Sequence, residues 1–484
     1  MSSPLSERLH PASVRARSAR PLHLVRVRAA LLCLAAGLLG ASVAAAQPTP
    51  AQRRGAPPSA TGPTPAADTV VAQPAPITLD SVYALVARRS PRAQAAAALA
   101  RAAAARVPGA SRPPDPELQL GFMNYMLPDV RPDPTLGMTQ LRLMQMVPLP
   151  GKLSAAGRAA RARAEAAGAR AEDVAWEARA TAAMAFYERY ELEGRISVAL
   201  ETRRLLEDVA DVASAMYRVG DGRQADVLRA RVELARMDEE VVRMRAMSDA
   251  ATGRLAAAAD VSYEALQGTP VLPAFPDSLP SRETLEELAL GARPMLAAGA
   301  AELRAARADA ALARRELWPD LEVGVQYGQR RMEMGTDRMG SLMIGASIPV
   351  FARSRQLQMR EEAAAMQAKA AAELESMRAE TRGRIAAAHA ELESARRLAT
   401  LYRTTVLPQA AAATTSALAS YRSGGVDFMT VVDNRMSVNQ YRQELLALEA
   451  AEGRAWAELE MLVGRPLLAS TSPAATPGAT GGPR

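Results

Sequence analysis

Leu321-Glu322-Val323-Gly324-Val325-Gln326-Tyr327-Gly328 places an apolar side chain at every second position, the period of a strand with one apolar face. A polar connection containing Arg330, Arg331, Asp337 and Arg338 follows. The same period then returns in Leu342, Ile344, Ala346 and Ile348 against Met343, Gly345 and Ser347. The pair predicts a β-hairpin with strands at about 320–328 and 341–350. The hairpin has an earlier copy. Leu118-Gln119-Leu120-Gly121 answers Leu321-Glu322-Val323-Gly324 at an offset of 203 residues, and Pro91 and Pro116 answer Pro294 and Pro319 at the same offset. Tyr217-Arg218-Val219-Gly220 answers Tyr421-Arg422-Ser423-Gly424 at 204. The chain is therefore a duplication, with a first repeat over 77–268 and a second over 269–468, and not a short-period solenoid. The first copy of the hairpin has strands at about 117–126 and 138–147, joined by a Pro/Asp loop over 127–137.

Outward from each hairpin the period changes to that of helices. A helical segment precedes each one, at about 79–106 and 282–317. A Pro-marked turn follows each one, Pro148-Leu149-Pro150-Gly151-Lys152 or Ile348-Pro349-Val350-Phe351. No proline occurs over 151–269, and 152–217 as one helix of 66 residues would be about 99 Å long. Its counterpart, 355–420, is interrupted only by Pro408, where a kink or local loosening is expected. Gly-containing turns lead into shorter returning helices at 226–260 and 427–462. Leu205, Val209, Val212 and Met216 descend at spacings of three and four, and Leu234, Met237, Val241 and Met244 return in the same way. The fold class is mainly α with a small β part: duplicated long coiled helical hairpins, each topped by a β-hairpin.

Composition agrees with long thin helices. The 484 residues include only 18 aromatics, and Ala-rich tracts favour close side-by-side helix packing over a thick core. Arg8, Arg15, Arg17, Arg20, Arg26 and Arg28 precede a short apolar run over 29–39 and then Ala44-Ala45-Ala46, so 1–46 reads as a cleaved signal peptide. Leu32 before Cys33 disfavours lipidation. Removal of this segment takes the net charge from +7 to +2 and leaves no Cys and one His, His389, read as a surface residue. A nucleic-acid partner, a His/Cys zinc site, a thiol nucleophile and a disulfide framework are thereby disfavoured. The Pro/Ala-rich 47–76 and the Gly/Pro-rich 469–484 read as disordered ends. No later stretch is long and apolar enough for a transmembrane helix.

Strands of nine or ten residues in an exported chain have the length needed to cross an outer membrane at a tilt. Four strands cannot close a barrel, so a membrane reading requires several copies to share one. The other reading sets the hairpins on a soluble helical body, with one face buried and the other wet.

Over 77–468 the chain resembles the TolC-like outer-membrane efflux protein family. The resemblance rests on Ser90-Pro91 with its Ala-rich helix, Pro116-Glu117-Leu118, the turn formed by Pro148, Pro150, Gly151 and Lys152, Val406-Leu407-Pro408, the stretch from Tyr421 to Phe428, and Leu462-Val463-Gly464-Arg465-Pro466. It implies a homotrimer in outer-membrane lipid, with a 12-strand β-barrel continued by a 12-helix α-barrel in the periplasm. A periplasmic adaptor (membrane fusion) protein and an inner-membrane RND-type or similar pump are the implied partners. The resemblance also places a gate at the periplasmic tip turns, which carry Arg218, Gly220 and Gly222 in one hairpin and Arg422, Gly424 and Gly425 in the other. Asp226 and Tyr421 match a hydrogen-bonded latch pair, and Asp433 matches one residue of a carboxylate ring. Thr430 and Val426 stand where the family often has a further Asp and an Arg.

Met123, Met126, Met138, Met144 and Met146 cluster around the first hairpin, and Met332, Met334, Met339 and Met343 around the second. Thioethers suit soft Cu(I) or Ag(I), and Met is also an adaptable apolar filler. The Pro-Gly-Lys turn is more like the outer-membrane partners of heavy-metal exporters than those of drug exporters. No nucleophile–base pair, phosphate-binding loop or resident-metal cluster is present, so neither an enzyme nor a cofactor is expected. The leading reading is a passive exit duct for metal ions or small toxic compounds. The alternative is a periplasmic adaptor or coiled-coil structural protein, which would show one hairpin interrupting β domains.

Overall fold

The computed structural model describes residues 76–468, apart from 127, 129, 130, 134, 135, 333 and 334. The segments expected as signal peptide, linker (up to residue 75) and tail, together with part of the 127–137 loop and Met334, lie outside the described residues.

Each repeat contributes two long helical passes and part of one sheet. In the first, β1 (Ile77–Thr78) leads into α1 (Leu79–Arg89), α2 (Pro91–Ala105) and α3 (Val107–Ala110). Strands β2 (Glu117–Met123), β3 (Tyr125–Met126), β4 (Arg131–Pro132) and β5 (Met138–Val147) precede α4 (Lys152–Val219) and α5 (Gln224–Ala259). The second repeat opens with β6 (Pro270–Val271), α6 (Arg282–Ala292) and α7 (Pro294–Arg315). It continues through β7 (Leu321–Met332), β8 (Gly335–Ala346), α8 (Gln356–Leu401), α9 (Leu407–Arg422) and α10 (Phe428–Val463). The 68 residues of α4 extend about 102 Å.

The helical segments before the hairpins are not continuous, as 79–106 and 282–317 suggested. Pro91 and Pro294 each occupy the first turn of a new helix, where a missing N–H costs nothing. In the stretch 355–420 the interruption is a π-helical turn, Tyr402–Val406, directly before Pro408. Pro408 has no N–H for the carbonyl four residues back, and the Leu407 N–H reaches the Tyr402 carbonyl instead. The second hairpin differs as well. Its strands run on through Arg330, Asp337 and Arg338, and the polar connection expected over 329–340 is mostly ladder. The second strand ends at Ala346, short of the expected 350, with Ile348, Val350 and Phe351 exposed beyond it.

Small side chains let the helices approach closely. Ala155, Ala159, Ala162 and Ala166 form a buried ridge on α4, and Ala298, Ala301, Ala305 and Ala308 form one on α7, which packs against it. Large residues fill two separate clusters. Phe186 and Tyr187 pack with Val82, Tyr83 and Leu255, and Trp456 packs with Ile385, Leu392 and Leu459. A third cluster joins the far ends of both hairpins through Val209, Ala230, Tyr421, Phe428 and Val432.

Candidate functional site: an exposed sheet, a junction and two helical tips

The two β-hairpins form one antiparallel sheet in the order β2-β5-β7-β8. Register aligns its apolar residues into rows. Leu118, Leu143, Val325 and Leu342 make one row, and Leu120, Leu141 and Tyr327 make the next. These side chains are exposed, Leu342 to 69% and Leu118 to 66%. An apolar face this large and uncovered is not stable against water and marks an interaction surface. The eight residue steps from Val147 to Thr139 extend about 27 Å along the strand, or about 20 Å along the normal at a barrel tilt. Aromatic residues flank this band, with Trp318 and Phe351 exposed toward the helices and Phe122 packed edge-on against Tyr125 at 5.2 Å at the other end.

The opposite face is different. Arg142 Nη2 donates to Gln326 Oε1 at 3.1 Å, and Gln326 Nε2 donates to Gln140 Oε1 at 2.5 Å. The described methionines of this sheet also lie on that face: Met123 on β2, Met138, Met144 and Met146 on β5, Met332 on β7, Met339 and Met343 on β8. Among the described residues the outer edges of β2 and β8 have no partner strand.

Between sheet and helices lies the Pro148-Leu149-Pro150-Gly151-Lys152 turn. Gly151 has φ +95°, and a Cβ there would lie 2.8 Å from the Arg315 guanidinium carbon. Arg315 Nη1 donates to the Gly151 carbonyl at 2.8 Å. Lys152 is buried, and its Nζ donates to Asp320 Oδ1 at 2.8 Å and to the Trp318 carbonyl at 2.9 Å. The turn thus locks the start of α4 to the α7–β7 connection of the other repeat.

The remaining candidates lie at the helix tips. Gly220 (φ +87°) and Gly424 (φ +73°) adopt the left-handed conformation that reverses a helix. At Gly222 a Cβ would press on the Tyr217 backbone nitrogen at 2.8 Å. The Gly425 N–H caps the Ser420 carbonyl at 2.8 Å. Arg218 and Arg422 are exposed beside these turns. Asp226 and Tyr421 are both buried. Burial raises the Tyr421 hydroxyl pKa above its ordinary value, and the charges of Asp226 and Asp427 add to the rise. The Asp226 carboxylate is therefore near the phenol, but among the described residues no hydrogen bond joins them. Asp433 and Thr430 are exposed one turn apart on α10.

A model of the outer membrane efflux protein family matches residues 285–465. The cobalt-zinc-cadmium resistance protein CzcC of Cupriavidus metallidurans is 26% identical over 396 residues, 81% of this chain and 90% of CzcC. The family match thus covers most of the second repeat. Two solved structures carry the likeness through the described residues. The outer membrane protein VceC of Vibrio cholerae superposes with a TM-score of 0.69 at 18% identity, covering 80% of this chain and 96% of VceC. CusC, studied for folding and transmembrane channel formation, gives a TM-score of 0.69 at 17% identity, covering 80% and 92%. These outer membrane efflux proteins and their structural neighbours are efflux proteins and channels rather than enzymes.

Some residues that position these features leave no sequence signal. Glu460, 1% exposed, accepts the Leu467 and Leu468 N–H groups and a bond from Arg179, whose guanidinium lies 3.6 Å above the Tyr83 ring. Asp320, partner of Lys152, lies 168 residues from it in the chain. Among the described residues no three His, Cys, Asp or Glu converge to hold a metal, and no helix is long and apolar enough to cross a membrane.

Proposed function

We propose that the protein is the outer-membrane exit channel of a tripartite efflux system, passively releasing metal ions or small toxic compounds. The observation that carries this reading is the exposed apolar band of an open four-stranded sheet, set on long helices. Lipid is the partner that such a band fits, and the unpaired edges of β2 and β8 offer the pairing by which several copies would close a barrel. The family resemblance sets that number at three, giving 12 strands and a 12-helix periplasmic tunnel. Residues 1–46 direct export. A periplasmic adaptor docks at the tip turns around Arg218, Gly220, Gly222, Arg422, Gly424 and Gly425, and an inner-membrane pump supplies the energy. Asp226 and Tyr421 hold the tip closed, while Asp433, with Thr430 beside it, sets ion preference at the constriction. The name of CzcC, a cobalt-zinc-cadmium resistance protein, supports metal ions over other small compounds as cargo.

Ion conductance of the purified mature protein across a planar bilayer tests this, with the mass of the detergent-solubilised particle measured on the same sample. The expected result is discrete openings from a particle of three chains. A water-soluble monomer overturns the reading.

A further inference from the structure

The sheet sorts its methionines. A residue serving only as apolar filler belongs with Leu118, Leu143, Val325 and Leu342 on the band that faces away from the polar side chains. The described methionines of β2, β5, β7 and β8 instead share the opposite face with Gln140, Arg142 and Gln326.

Their placement is paired around glycines of the central strand β7. A Cβ at Gly324 would lie 3.2 Å from Met144 Cγ and 3.5 Å from Met343 Cε, so side chains from β5 and β8 converge over that bare backbone. Four residues along, a Cβ at Gly328 would lie 3.2 Å from Met138 Sδ, and Met339 is registered directly opposite Gly328 from the other side. At Gly324 methionine side chains from both flanking strands cover the bare backbone, and at Gly328 Met138 covers it, with Met339 registered opposite on β8 and Arg330 registered opposite Met138.

We propose that Met144 with Met343, and Met138 with Met339, form two successive transient subsites for a soft monovalent cation of the Cu(I) or Ag(I) class. The inference rests on the channel reading, in which this face lines the passage. Thioether sulfur is a soft, neutral donor that selects such ions and releases no proton on binding. Two neutral donors per site hold a cation weakly, which suits a passage that must let it go. Arg142 lies in the row between the two pairs, and its charge shortens residence further, more for a divalent ion than for a monovalent one. Borderline divalent cations gain little from thioethers.

The test uses the full mature chain labelled with 13C at the methionine methyl groups and titrated with silver nitrate in chloride-free detergent buffer. Potassium conductance is measured on the same sample. The expected result is saturable shifts of the Met138, Met144, Met339 and Met343 methyl signals, absent with zinc nitrate. Replacing all four by Leu, which covers the glycines equally well, is expected to weaken silver binding at least about tenfold, with melting temperature as the control for folding. A conducting particle whose methyl signals do not respond to silver, or whose silver affinity survives the four substitutions, overturns the inference. Saturable shifts in a particle that never conducts would retain the thioether pairs and sink the channel reading instead.

Discussion

A single missing methyl group lets Tyr187 pack into the core beside α10. A Cβ on Gly453 would lie 2.1 Å from the Tyr187 ring, and Tyr187 is fully buried against Phe186 with no room to retreat. Gly453→Ala is therefore expected to destabilise by about 1–3 kcal/mol through overpacking, although Ala is the better helix former. Gly383, also in a helix, has nothing within 4 Å of its Cβ position. There the same substitution should stabilise by about 0.5–1 kcal/mol, and denaturant melts of the two variants separate the effects. Asp173 makes a different residue-scale prediction. Burial raises its pKa, and Arg293 and the Met295 N–H offset only part of this, with Glu177 nearby adding to the rise. A carboxyl whose folded pKa is raised contributes stability that is complete below its ordinary range and is lost as pH rises through the folded value. Asp173→Asn should accordingly be more stable than the parent at neutral pH and show a flatter profile through the acid range. Equal pH slopes for the two proteins in thermal melts would remove Asp173 from that account.

At the scale of elements, the tip is where one packing cluster joins four helices. Tyr421 lies 5.8 Å from Phe428 in edge-on contact, and Val209 of α4 and Ala230 of α5 complete the cluster. A latch built there acts by holding α9 and α10 against α4 and α5. Replacing Tyr421 by Phe keeps the ring packing and removes the hydroxyl, and replacing Asp226 by Ala removes the carboxylate. If the pair clasps the assembled tip, the double variant should raise single-channel open time, measured in a bilayer, with little change in melting temperature. An unchanged open time would leave the two residues as packing alone. The elements themselves were readable to different depths. The strand period of Leu321 to Tyr327 is plain because one face is apolar and the other polar. It fades over Arg330, Asp337 and Arg338, where both faces carry polar groups, so the sequence pattern ends before the ladder does. The break before Pro408 follows from the missing N–H, but its form as a π turn depends on where the chain re-enters register. Lys152 was legible as part of a turn and not as a buried ion pair, because Asp320 comes to it only through the pairing of the repeats.

For the whole molecule, the decisive property is that the sheet has two faces with opposite demands. Val325 lies mid-row between Leu143 and Leu342 on the apolar band, and its chain neighbour Gln326 faces the other way between Arg142 and Ser341. The two positions share a strand, a depth and a backbone, so a substitution common to both isolates the environment. Val325→Arg places a guanidinium where lipid would be, and charged residues near the midplane of a barrel cost about 2–4 kcal/mol per copy. Repeated around a closed assembly, that cost should prevent insertion, and the variant should be lost from the outer-membrane fraction. Gln326→Arg adds the same charge to the polar face, beside Arg142, where water would solvate it. This variant should insert as the parent does and shift ion preference toward anions, because the added cations repel cations within the passage. If both variants insert equally, the apolar band does not face lipid. If Gln326→Arg inserts with unaltered selectivity, the polar face does not line the conducting path.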